Sequence, residues 1–195
     1  MIDPQMNTPG IIILAAGLGL RFNRAGGQGN KLLAPQQNQQ PLLALTLRQA
    51  QDSGLPVLVV TRPEYHAVLD LAQQCQIPAI TVASSGSGES IAAGIRQTRN
   101  WAGWLIQPGD MAWVTAQDHQ YVAQALAAGA QQVRLCWDQQ PGHPVGFAAG
   151  YGQALSELSG DNGARMLLDP TILLTISAHA GVIRDADLPE PTNHS

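Results

Sequence analysis

Apolar residues in this chain gather in short continuous runs separated by longer amphipathic stretches. Ile11-Ile12-Ile13-Leu14 is such a run, and it passes directly into Ala15-Ala16-Gly17. A β-branched run with no polar alternation fits a strand buried on both faces of a parallel sheet. Val57 to Val60 and Trp104 to Ile106 repeat the pattern, and Ala79 to Val82 and Val133 to Trp137 follow it more weakly. Helices are predicted between them, over 41–53, 64–74, 89–99 and 115–128. Pro41 suits a first helical turn and Gly54 a helix stop. Thr115 with Asp118 three residues on reads as a capping box. Later come a strand at Val145 to Phe147, short helices near 151–158 and 163–168, and strands near 172–176 and 181–183. Gly142-His143-Pro144 reads as a loop. Strands alternating with helices imply βαβ units, hence a mostly parallel sheet in a single three-layer α/β/α domain. That domain is expected over 10–190, with loose tails at 1–9 and 191–195.

Composition narrows the function classes. The 195 residues carry 10 Lys plus Arg against 14 Asp plus Glu, a net charge of −4. Without a polybasic stripe there is nothing to neutralise many phosphates, which argues against a nucleic-acid partner. Only 12% of residues are charged, about half the usual share. The two cysteines, Cys75 and Cys136, make neither a CxxC metal pair nor a disulfide framework. The apolar stretch from Ile11 to Gly19 is about half what a bilayer span needs, and the segment before it holds Asp3 and no base, unlike a signal peptide. These features predict a soluble, cytoplasmic protein with no membrane partner.

The chemistry concentrates where the first strand ends. Leu14-Ala15-Ala16-Gly17-Leu18-Gly19-Leu20-Arg21-Phe22 follows the isoleucine run, with Lys31 beyond it. Small residues at a strand's carboxyl end let backbone N–H groups approach phosphate oxygens, and Arg21 and Lys31 add positive charge. A Gly-x-Gly by itself serves equally as a tight turn. A dinucleotide fingerprint would need Gly at Phe22 and a Walker A loop Ser or Thr at Leu32; both are absent.

The whole string resembles the signature of the MobA-like nucleotidyltransferases, Leu-Ala-Ala-Gly-x-Gly-x-Arg-(Phe/Met)-Gly…Lys. Further stretches match in the family's order: Gly86-Ser87-Gly88-Glu89-Ser90-Ile91-Ala92-Ala93-Gly94 and Gly109-Asp110-Met111. Gly142-His143-Pro144-Val145, Gly160-Asp161-Asn162-Gly163-Ala164-Arg165 and Asp185-Ala186-Asp187-Leu188-Pro189-Glu190 resemble the branch containing molybdenum cofactor cytidylyltransferase. The chain departs from the pattern in four places. Asn23 stands where Gly is usual, Arg21 and Lys31 stand ten residues apart around an inserted Arg24-Ala25-Gly26-Gly27, Ala112 replaces a Pro, and Leu188 a Thr.

The resemblance implies a Rossmann-like nucleotidyltransferase fold and an enzyme. It implies Arg21, Lys31 and Asp110 as catalytic residues. Leu14, Ala15, Ala16, Gly17, Gly19, Gly88 and Ser90 would join them around a nucleoside triphosphate, with CTP favoured. Asp110 would hold Mg²⁺, with Asp187 as a second candidate ligand; Mg²⁺ takes few protein carboxylates and completes its shell with water and phosphate. His143, Asp161 and Arg165 would face the second substrate. The plain alternatives are a turn aspartate at Asp110, a solvated Lys31, a helix-end hydroxyl at Ser90, and Asp161 paired with Arg165 across one turn. His66, His119, His179 and His194 lack metal-ligand spacing and are expected at the surface, and Trp101, Trp104, Trp113 and Trp137 in or near the core. No Ser or Cys sits in a nucleophile elbow, so covalent catalysis is not expected.

The implied reaction is transfer of CMP from CTP to the molybdopterin-molybdenum cofactor, giving the cytosine dinucleotide cofactor and pyrophosphate. A guanylyl version, or another small phosphate acceptor, is the nearest alternative. A maturation chaperone that holds this cofactor and delivers it to an apo molybdoenzyme is the alternative from a different class. The implied partners are the NTP, a molybdopterin-type cofactor, and an apo molybdoenzyme or its chaperone.

Overall fold

The computed structural model describes residues 8–17 and 41–185. Seven strands form one sheet: β1 (Gly10–Ala15), β2 (Val57–Thr61), β3 (Ala79–Thr81), β4 (Gly103–Pro108), β5 (Gln132–Trp137), β6 (Gln140–Ala148) and β7 (Leu173–Ser177). The order across the sheet is β3-β2-β1-β4-β6-β5-β7. All neighbours pair parallel except β6, which runs antiparallel to both β4 and β5. Among the described residues the α-helices are α1 (Leu42–Asp52), α2 (His66–Gln74), α3 (Ser87–Gln97), α4 (Ala116–Ala127) and α5 (Gly152–Ser156).

Strand alternation divides the core into two layers. Ile11, Ile13, Val57, Val59 and Leu105 pack with Leu43 and Leu47 of α1, Val68 of α2 and Val122 of α4. Ile12, Leu58, Val60, Trp104 and Ile106 face the other way, onto Ile91 and Ile95 of α3 and Leu155 of α5. A strand burying every side chain must be apolar at every position, which is the pattern of β1. No described helix is long and apolar enough to cross a membrane.

Several expectations need correction. Gly142-His143-Pro144 is not a loop but part of β6, because Asp138 and Gln139 (φ 49° and 60°) close a tight hairpin and the strand begins at Gln140. The pairing register with β5 shifts between Arg134 and Cys136; a proline, having no N–H, is tolerated at such an irregularity. Residues 181–183 form no strand: they belong to a 3₁₀ turn, Ala180–Ile183. The segments expected as short helices are a 3₁₀ turn (Ala149–Tyr151) running into α5, and a second turn at Arg165–Leu167. His119 is completely buried rather than at the surface, since its ring has a polar partner inside the core. Trp137, at the hairpin end, is 40% exposed.

Candidate active site

The carboxyl ends of β1 and β4 form one rim, where an open α/β sheet binds its ligands. Main-chain hydrogen bonds shape the start of the glycine-rich loop. Thr61 Oγ1 donates to Ala15 O at 2.8 Å, and Tyr65 Oη donates to Gly17 O at 2.8 Å. Gly109 N–H donates to Leu14 O at 2.8 Å, tying the β4 turn to the β1 end. Asp110 therefore sits beside Leu14, Ala15 and Ala16, and is only 5% exposed. Gly19, Arg21, Lys31 and Asp187 lie outside the described residues.

The N-terminus of α3 closes the rim from the side, two residues earlier than its sequence suggests. Its cap is supplied from elsewhere in the chain: Gly88 N–H donates to Gly160 O at 2.8 Å, and Ser87 Oγ donates to Asp161 O at 2.9 Å. A Cβ at Gly88 would stand 2.5 Å from Ser159 O, so only glycine admits this approach. Gly160, at φ 75°, makes the return bend. The Gly88 amide is thus committed to the 159–161 loop. Ser90 is 2% exposed, and its Oγ is buried without a hydrogen-bond partner. A buried hydroxyl in that state is costly unless a ligand completes it.

A cavity of about 340 Å³ opens next to this rim. Leu14, Pro108, Arg134, His143, Asp161 and Arg165 are among the residues that line it. The fold thus brings together all three residues expected to meet a second substrate. Asp161 and Arg165 do not pair with each other among the described ion pairs; both line the cavity. Arg134 was not legible in the sequence, since nothing separates a strand arginine from a surface base until β7 and the 160–165 loop are placed.

Charged and titratable side chains line the cavity. Arg134 Nε donates to Gly142 O at 3.2 Å. Burial pulls its guanidinium below the ordinary arginine range, and the like charge of Arg165 adds to this. Burial also holds His143 neutral, at about 4, followed by the positive charge of Arg134; Asp110 and a main-chain hydrogen bond with Ile106 act in the opposite direction. His143 Nδ1 is buried and without a partner. Arg134 and Arg165 bring two cations to the hollow against one carboxylate from Asp161, beside a neutral imidazole, and a lining with that excess of positive charge suits a phosphate group.

A divalent ion also fits the donors present. Among the described residues no cluster of three His, Cys, Asp or Glu could hold a metal by itself. A single strand-end carboxylate at Asp110 matches Mg²⁺ or Mn²⁺ that draws its remaining ligands from phosphate and water.

Comparison with known proteins agrees with this geometry. Residues 11–179 match the family model of the MobA-like NTP transferase domain. No curated protein matches the sequence. Among solved structures, Rv0371c from Mycobacterium tuberculosis superposes with a TM-score of 0.78 at 19% identity over 93% of each chain. The same protein in complex with manganese gives 0.73 at 17% identity over 88% of each chain. A nucleotidyl transferase from Methanothermobacter gives 0.75 at 18% identity, covering 89% of this chain and 88% of that one. CMP:2-keto-3-deoxy-manno-octonic acid synthetase complexed with CTP gives 0.66 at 12% identity, covering 88% and 90%. At these identities the likeness is one of fold.

Proposed function

This chain belongs to the MobA-like NTP transferase family, and on that premise we propose that it transfers CMP from CTP to the phosphate of a molybdopterin-type cofactor. The observation that carries the reading is the cavity joining His143, Arg134, Asp161 and Arg165 to the ends of β1 and β4. It puts a hollow of about 340 Å³ carrying two arginines beside the end of β1, as a two-substrate transfer requires. The Gly-His-Pro and Gly-Asp-Asn-Gly-Ala-Arg stretches both contribute to that hollow, which supports the cytidylyl branch over the guanylyl one. A structural relative complexed with CTP supports the same choice.

In this reading the acceptor phosphate lies between Arg134 and Arg165, with one oxygen aimed at the α-phosphorus of CTP. That oxygen forms the new P–O bond, the bond from the α-phosphorus to the β-bridging oxygen breaks, and pyrophosphate leaves. His143, held neutral with its one ring N–H toward the Ile106 carbonyl, meets the acceptor through its other ring nitrogen, which accepts a hydrogen bond without adding charge. Ser90 Oγ completes its hydrogen bonding on the nucleotide. Arg21 and Lys31 neutralise the triphosphate. Mg²⁺ held by Asp110 would supply charge neutralisation on the phosphates.

The test is pyrophosphate release, measured with each of the four NTPs, Mg²⁺ and molybdopterin-type acceptor. CTP turning over well above the others supports the proposal. GTP preference moves the protein to the guanylyl branch. No release with any NTP, while the cofactor still binds, overturns catalysis in favour of a maturation chaperone that passes the cofactor to an apo molybdoenzyme.

A further inference from the structure

Behind the rim, buried polar side chains converge on the segment that carries Asp110. Thr46 on α1, Gln107 on β4 and His119 on α4 are all 0% exposed, inside layers otherwise built from Leu, Ile and Val. Polar groups in such surroundings are costly and persist only where their hydrogen bonds are made. Here the bonds flank Asp110. Thr46 Oγ1 donates to Gly109 O at 2.6 Å, across 63 residues of sequence. Gln107 Nε2 donates to Met111 O at 3.2 Å, while Gln107 Oε1 lies 2.7 Å from His119 Nε2. Gly109 N–H is held by Leu14 O and Met111 N–H by Pro108 O. The peptide before the Asp110 Cα is therefore held by Thr46 of α1, the peptide after it by the Pro108 carbonyl, and the next one, at Met111 O, by Gln107 of β4, whose amide oxygen is in turn held by His119 of α4.

We infer that Thr46 and the Gln107–His119 pair are positioning residues, which aim the Asp110 carboxylate at the metal-bound triphosphate without touching substrate. The inference rests on the proposed role of Asp110. Its physical basis is that an outer group orienting a ligand sets the geometry, and hence the affinity, of that ligand. These bonds stabilise as buried hydrogen bonds do, but they converge on the turn around one carboxylate, which is what a positioning role requires.

Thr46→Val removes one oxygen and keeps the shape of the side chain; Thr46→Ser restores the hydroxyl. Two properties are measured: Mn²⁺ binding in the presence of CTP, followed by electron paramagnetic resonance, and steady-state kinetics against Mg²⁺ and CTP. The expected result for Thr46→Val is Mn²⁺ binding and kcat weakened by about 10–100-fold, KM for CTP little changed, a thermal midpoint lowered by no more than the loss of one buried hydrogen bond with both assays run well below it, and recovery in Thr46→Ser. Gln107→Leu should reproduce the loss from the other side. Asp110→Ala is the reference. If it loses Mn²⁺ binding and turnover while Thr46→Val and Gln107→Leu match wild type, the positioning role is overturned and the role of Asp110 stands. If Asp110→Ala itself binds Mn²⁺ and turns over normally, the reading of Asp110 fails and the inference with it.

Discussion

His119 Nε2 lies 2.7 Å from Gln107 Oε1 in the interior of the protein, and this contact sets the protonation of the ring. Because Gln107 uses its amide nitrogen on Met111 O, its oxygen must accept, so His119 carries its proton on Nε2. Nδ1 is then a buried lone pair without a partner. Burial holds the ring neutral, at about 4, with nearby Asp118 pulling weakly the other way.

A pH dependence of stability follows. A histidine lowered from 6.5 to about 4 binds fewer protons folded than unfolded between those values. Its stabilising contribution is complete above pH 6.5 and is lost as the pH falls toward 4. The loss is on the order of 3 kcal/mol. Urea unfolding across this range should show the decline, and His119→Gln, which keeps a donor for Gln107 but does not titrate, should flatten it. An unchanged slope in that variant would place the acid sensitivity elsewhere.

Asp110→Ala should abolish turnover and leave the fold intact, because the carboxylate lies at a strand end and takes no place in the two apolar layers. Circular dichroism and thermal melting check the fold, and pyrophosphate release checks the turnover. An active variant would remove the metal role.

Arg134→Gln and Arg165→Gln should each raise KM for the acceptor by about 10–100-fold, the loss of one charge-assisted hydrogen bond. KM for CTP should hardly move, since in the proposed reading both guanidiniums hold the acceptor phosphate. A matching rise in both constants would mean that the arginines serve the nucleotide.

Gly88→Ala should destabilise the protein by about 1–3 kcal/mol, the usual cost of forcing an extra methyl into a packed contact. The clash is with the main chain at Ser159, which cannot swing aside as a side-chain tip would. Gly160 and Asp161 would separate from α3, so acceptor binding should weaken in parallel. Chemical denaturation and acceptor titration measure the two effects.

Lys31→Ala should raise the CTP concentration needed for half-maximal rate, on the expectation that Lys31 reaches the triphosphate despite the ten-residue interval from Arg21. Unchanged kinetics would assign the contact to Arg21 alone.

Much of this architecture was legible along the chain because it is local. An uninterrupted Ile-Ile-Ile-Leu run can satisfy its burial only between two helical layers, so β1 and its central place follow from composition. The Thr115–Asp118 capping box forms within one helical turn, and the structure has both of its hydrogen bonds. The loop expected at Gly142-His143-Pro144 was misjudged because proline and glycine disfavour regular strands, while the hairpin closing at Asp138–Gln139 forces the segment alongside β5.

The sequence by itself determined the strand–helix alternation, the glycine-rich stretch at the end of β1, the aspartate after β4, and His143, Asp161 and Arg165 as candidates for one site. Only the folded chain brought Arg134 to Arg165, made the carbonyl of Gly160 the cap of α3, and turned Thr46, Gln107 and His119 into a brace for Asp110. The division has one cause. Periodicity and capping are settled between neighbours a few residues apart, whereas a buried polar group must find its partner wherever the sheet and its crossing helices deliver one.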